Sequence, residues 1–140
     1  MRLLTFCRYA NDSARVCAIA LGLTAFAQDA EYQAWMKSVG ATAGSLRKNL
    51  EAKNGDGASA DAKKLADVFS QVHDYWHKKG VDDATATAKD ASANFKAVGE
   101  LASAGKFDDA GAELKKAMSS CGGCHSKHRE KASDGSWKIK

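Results

Sequence analysis

The sequence predicts an all-α fold, an up-down-up-down antiparallel four-helix bundle, on three observations. Apolar residues recur at steps of three and four in four stretches of similar length, which places each set on one helix face. The breaks between the stretches are short, so consecutive helices lie side by side and run in opposite directions. Proline is absent from all 140 residues, and alanine-rich stretches fill the space between breaks. That composition favours helices over a loop-rich all-β chain.

The N-terminus reads as a leader rather than as part of the bundle. Arg2, Arg8 and Arg15 give a positive start, and Val16 to Phe26 is an apolar run. Ala25 and Ala27 put small residues where a signal peptidase reads. Residues 1–27 are therefore expected to be a cleaved secretory signal, residues 28–132 a four-helix domain and residues 133–140 a C-terminal tail. The apolar run is too short to span a bilayer, which needs about 20 residues, so no membrane span is expected. Of the four cysteines, Cys7 and Cys17 leave with the leader. Cys121 and Cys124 remain, too few for a disulfide framework in an exported chain.

In the first helix Tyr32, Trp35, Met36, Val39, Ala43, Leu46 and Leu50 form the apolar face. The turn cluster Asn54-Gly55-Asp56-Gly57 follows, and Ser59 or Asp61 is expected to begin the second helix. There the face is Leu65, Val68, Phe69, Val72, Tyr75 and Trp76, and Lys79-Gly80 ends it. Asp82 and Asp83 suit the start of the third, whose face is Ala84, Ala88, Ala91, Phe95, Val98 and Ala102. Gly105 ends that helix, and Asp108 and Asp109 suit the start of the fourth. Phe107, Ala110, Leu114, Ala117, Met118, Cys121, His125 and His128 make the last face. Each helix is about 22 residues, roughly 33 Å. Trp137 is a candidate to pin the tail.

Cys121-Gly122-Gly123-Cys124-His125 has the C-x-x-C-H spacing of a c-type haem attachment site. On a helix, positions i, i+3 and i+4 share a face. Two thiols can then add to the two vinyl groups of one haem while the histidine reaches its iron. The rival readings are weaker. A thioredoxin-like dithiol belongs in a βαβ setting, and a zinc site needs a second ligand pair that the chain lacks.

A four-helix bundle with this motif near its C-terminus resembles the class II c-type cytochromes, the cytochrome c prime family. The resemblance covers residues 29–131. It rests on CGGCHSKHR (Cys121 to Arg129) and on WMKSVG (Trp35 to Gly40). It implies one covalent haem c, a haem-side role for the basic residue four after the histidine, Arg129, and a sixth ligand at Met36, as in the low-spin relatives. Pairing as a homodimer through the first two helices is also a family habit. Two features depart from the family pattern. Tyr32 stands where many members carry an arginine, and the link from Lys79 to Asp82 is short.

The other face of the iron has several candidates. Met118 and His128 lie along the proximal helix and read as packing or rim residues. His73 and His77 are one turn apart, but beside Asp74, Lys78 and Lys79 they read as a solvated face. Met36 sits on an apolar face with Gly40 one turn on. That glycine leaves room for a porphyrin plane or allows close helix packing. With His125 and Met36 both bound, the iron suits one-electron transfer. With the sixth position open, the protein would instead bind nitric oxide or carbon monoxide.

Charge adds a partner. Lysine and arginine number 21 and aspartate and glutamate 17, net +4. Without residues 1–27 the counts are 18 and 16, net +2. Lys115 to Lys140 carries net +5, and residues 28–114 carry net −3. A basic haem-bearing end suits an acidic redox partner, and an exported bundle of such low net charge does not suit nucleic acid. There is no nucleophile–base pair, carboxylate dyad or phosphate loop, so an enzyme is not expected. The expected location is the bacterial periplasm.

Overall fold

The structure is a computed structural model that describes the backbone of residues 9–140 and the side chains of residues 29–140. The expected leader, residues 1–27, lies outside the residues whose side chains are described. The elements in chain order are α1 (Tyr9–Glu51), α2 (Gly55–Lys79), α3 (Asp82–Ser103), α4 (Phe107–His128), β1 (Arg129–Lys131) and β2 (Trp137–Ile139). Contacts divide the chain at Ala34 and Trp35 into two units. The first is helical from Tyr9. The second holds the rest of α1 and all other elements, and its four helices pack as a bundle. Among the described residues, no helix is long and apolar enough to cross a membrane.

The breaks follow local chemistry. Asn54, not Ser59 or Asp61, caps α2: its Oδ1 accepts from the Gly57 N–H at 3.1 Å, satisfying one of the orphan donors of a helix start. Asn at this position outranks the later candidates because the two glycines after it fit a crowded entry. A Cβ on Gly55 would lie 2.8 Å from the Ala102 carbonyl oxygen, and one on Gly57 would lie 2.5 Å from Asn54 Nδ2. Asp61 is instead buried in α2, where its Oδ2 accepts from Asn49 Nδ2 at 2.9 Å. Gly80, at φ 69, ends α2 in the left-handed conformation that glycine adopts freely, with lysines in the preceding turn. Asp82 and Asp83 occupy the first turn of α3, and Asp108 and Asp109 that of α4.

The three-and-four spacing forms the core. Leu46 and Leu50 of α1 are buried, with Leu65, Phe69, Val72, Tyr75 and Trp76 of α2 and Ala88, Ala91, Phe95, Val98 and Ala102 of α3. Phe69 and Phe95 stack at 5.4 Å. Phe95 is fully enclosed, a burial that stabilises by about 2–3 kcal/mol. Small residues let α2 and α3 close on each other. Ser92 Oγ donates to the Ala66 carbonyl at 2.9 Å, and Ser103 Oγ donates to Ser59 Oγ at 2.9 Å.

Residues 133–140, expected as a tail, carry the second strand of a hairpin. Arg129–Lys131 and Trp137–Ile139 pair as an antiparallel hairpin, with Arg129 opposite Ile139 and Lys131 opposite Trp137. The turn between them is held by Asp134, whose Oδ1 accepts from the Ser136 N–H at 2.9 Å, and by Gly135 at φ 82. The hairpin also closes the end of α4. The Lys140 N–H donates to the His128 carbonyl at 3.1 Å, and Lys140 Nζ donates to the Ser126 carbonyl at 3.1 Å. These are carbonyls a helix end leaves unpaired.

Candidate functional site

Helix α4 changes character along its length. Ala110, Leu114 and Ala117 are buried. Beyond them the same face continues through Met118, Cys121, Cys124, His125 and His128, all only half-buried. The helix runs unbroken through Gly122 and Gly123, which are exposed and where an added Cβ would meet nothing within 4 Å. An apolar face that stays partly open, beside two positions without side chains, is what a bulky group lying along the helix requires.

Burial sets the chemical state of the motif side chains. Burial pushes the Cys121 thiol up from its ordinary pKa. Cys124 is raised as well, first by burial and then by the carboxylate of Asp83 and by Cys121, with Lys127 opposing. His125 is lowered, by burial first and then by the positive charge of Arg129. Near neutral pH the cysteines are thus thiols and the imidazole is neutral, the form that ligates a metal. A dithiol built for disulfide exchange has its attacking thiol lowered instead. Neither cysteine is in a disulfide.

A chain of ring contacts joins this end of α4 to α1. Trp35 meets Tyr75 edge-on at 6.5 Å, Tyr75 meets Trp76 at 5.3 Å, and Trp76 meets His128 at 5.1 Å. Met36 follows Trp35, so it belongs to the same end of the bundle as His125. Met36 is half-buried, whereas Val39 and Leu46 further along α1 are buried. Gly40 is exposed, and an added Cβ there would meet nothing within 4 Å. Among the described residues, no neighbouring helix closes on Gly40.

The remaining candidates fall into place. His128 packs on Trp76 and donates from Nε2 to Asp83 Oδ2 at 3.1 Å, so it is a packing residue. His73 pairs with Asp74 at 3.0 Å and stacks on His77 at 5.9 Å along the outer side of α2. Among the described residues, no three His, Cys, Asp or Glu side chains gather as a metal cage.

Arg129, the first residue past α4, is extended, and its guanidinium lies 3.8 Å from the centre of the Trp137 ring. Its Nε is buried and has no hydrogen-bond partner. Two thiols and an imidazole at i, i+3 and i+4, two open glycines, and an unspent buried donor at the same helix end together fit a covalently held, anionic haem. The sequence reading missed Asp83, Trp76 and the hairpin as parts of this region. The Asp134-Gly135 pair before Trp137 and Ile139 is the turn signal that points to the hairpin.

No family model matches the chain, and no curated protein or solved structure matches it.

Proposed function

We propose that this chain is an exported, periplasmic c-type cytochrome of the class II kind that carries single electrons. Cys121 and Cys124 hold one haem c, His125 is the proximal ligand and Met36 the distal one. The observation that carries the reading is the C-x-x-C-H motif on the half-open face of α4, with two exposed glycines between its cysteines. Haem supplies a ferrous–ferric couple when bound, and methionine ligation raises its potential.

The chain's own residues have separate tasks. The two thiols fix the group covalently along α4. His125 offers a neutral nitrogen. Met36, a soft and flexible side chain on a half-buried face, offers sulfur from α1. Arg129 places a permanent positive charge beside the histidine. The up-down-up-down antiparallel arrangement belongs to the same reading. It is supported by Ser59 bonding Ser103 where α2 begins and α3 ends, and by His128 bonding Asp83 where α4 ends and α3 begins. The basic end suits an acidic redox protein. Pairing as a homodimer rests on the family resemblance alone.

The test is an absorption spectrum of oxidised and reduced protein, with and without carbon monoxide. Low-spin spectra insensitive to carbon monoxide are the expected result. High-spin iron that binds carbon monoxide avidly would replace the electron carrier with a gas-binding protein. His125→Ala should lose the native spectrum.

A further inference from the structure

The hairpin β1–β2 places Arg129, Lys131, Trp137 and Ile139 on one face, because side chains alternate along a strand. Glu130 and Lys138 lie on the other face and pair at 3.0 Å. Arg129 and Trp137 are diagonal neighbours across the ladder, within reach for long and aromatic side chains. Their rings and planes meet closely: the guanidinium carbon is 3.8 Å from the indole centre, while Lys131 Nζ lies at 5.6 Å.

That stack has an unusual partner. A buried N–H without an acceptor costs free energy, and a side chain free to move would turn it to water. Arg129 keeps its Nε buried and unpaired. Trp137 is 44% exposed, the one large exposed apolar side chain among the described residues. A tryptophan left half in solvent is poorly placed to serve the core, but its face is well placed to hold a cation. The hairpin that carries it is bonded to the last carbonyls of α4, so the indole is fixed relative to the helix that bears His125.

We propose that Trp137 is a positioning residue: through the C-terminal hairpin it holds the Arg129 guanidinium at the haem-bearing end of α4, with Nε turned inward. The inference rests on the cytochrome reading for its functional consequence and on geometry alone for the clamp. A fixed positive charge near the iron favours the ferrous state, because it repels the extra charge of the ferric one. Released into solvent, the same charge is screened.

The experiment compares wild type with W137A, W137F, R129Q and the W137A/R129Q double variant. Exchange of the Arg129 Nε–H with solvent, followed by NMR, reads the clamp with or without haem. Arg47, exposed on α1, is the reference. Wild-type Arg129 should exchange about tenfold or more slowly than Arg47, W137A should bring it close to the Arg47 rate, and W137F should keep most of the protection. In haem-loaded protein W137A should lower the midpoint potential in the same direction as R129Q, and the double variant should fall no further than R129Q. Unchanged exchange in W137A overturns the clamp. A potential that stays put while thermal stability drops makes Trp137 merely structural, which also overturns the proposal. An intact mass equal to the bare chain defeats the cytochrome reading separately, and the exchange comparison still decides whether Trp137 holds Arg129.

Discussion

His128 reaches across the bundle to Asp83, Nε2 to Oδ2 at 3.1 Å, and ties the last turn of α4 to the first turn of α3. Lys127 approaches the same oxygen at 3.4 Å. The pairing joins an acid at a helix start with bases at a helix end, each on the side the backbone dipole favours. It also anchors the segment just past His125 to a neighbouring helix.

This contact makes stability depend on acid. Asp83 is held below its ordinary value of 3.8, chiefly by the His128 hydrogen bond and further by Lys127, against some desolvation. A carboxyl lowered by folding contributes stability that is present above 3.8 and lost as pH falls through its folded value. Asp83→Asn should therefore melt below wild type at pH 7, and the gap should be smaller at about pH 2, well below the ordinary carboxyl value. Asp83 is exposed, so the gap is small. Thermal melts at the two pH values check it, and a gap that persists in acid would assign the effect to packing.

Covalent attachment is read by intact mass. Protein exported after removal of residues 1–27 should exceed its bare chain by one haem, and the excess should survive acid extraction. Replacing both Cys121 and Cys124 with alanine should abolish it. A bare-chain mass in wild type removes the foundation of the cytochrome reading.

Met36 is tested by substitution. Met36→Leu should turn low-spin ferric protein high-spin and admit carbon monoxide to the reduced form, because leucine fills the space but offers no sulfur. If the variant stays low-spin, the ligand is another residue, and His73 and His77 are next to replace.

Two glycines should respond with opposite sign. Gly55→Ala pushes a Cβ to 2.8 Å from the backbone oxygen of Ala102, an overlap that costs about 1–3 kcal/mol. Gly122→Ala meets open space in a helix and should stabilise the haem-free protein by up to about 1 kcal/mol. Denaturant unfolding of both variants measures this. Equal effects would mean that backbone entropy alone governs the two sites.

Docking is read by salt. If the basic end meets an acidic redox protein, electron transfer between them should slow as ionic strength rises, because screening shortens the range of steering. A flat response would leave Lys127, Lys131, Lys138 and Lys140 as solvated surface.

Much of the fold was legible in the spacing of apolar residues. Phe95, Val98 and Ala102 fall on the buried face of α3 because a three-and-four repeat has one reading when no proline interrupts it. The start of α2 was less legible, since Asn54, Ser59 and Asp61 all bear capping side chains. The choice depended on Gly55 lying against Ala102, a contact between distant parts of the chain. The motif from Cys121 to His125 is local, so sequence carried it whole. The stack of Arg129 on Trp137 is not local, and it became visible only once the strand register was known.

The fading burial along α4 also bears on how such a protein would be made. From Phe107 to Ala117 the helix is fastened by its buried Ala110, Leu114 and Ala117, and it packs against α3. From Met118 onward it offers half-exposed side chains and two residues that propagate a helix poorly. Most of the chain can thus be packed while the side chains of Cys121 and Cys124 stay partly accessible. On the haem reading, packing of the first part of α4 and covalent loading of its last segment would not obstruct each other.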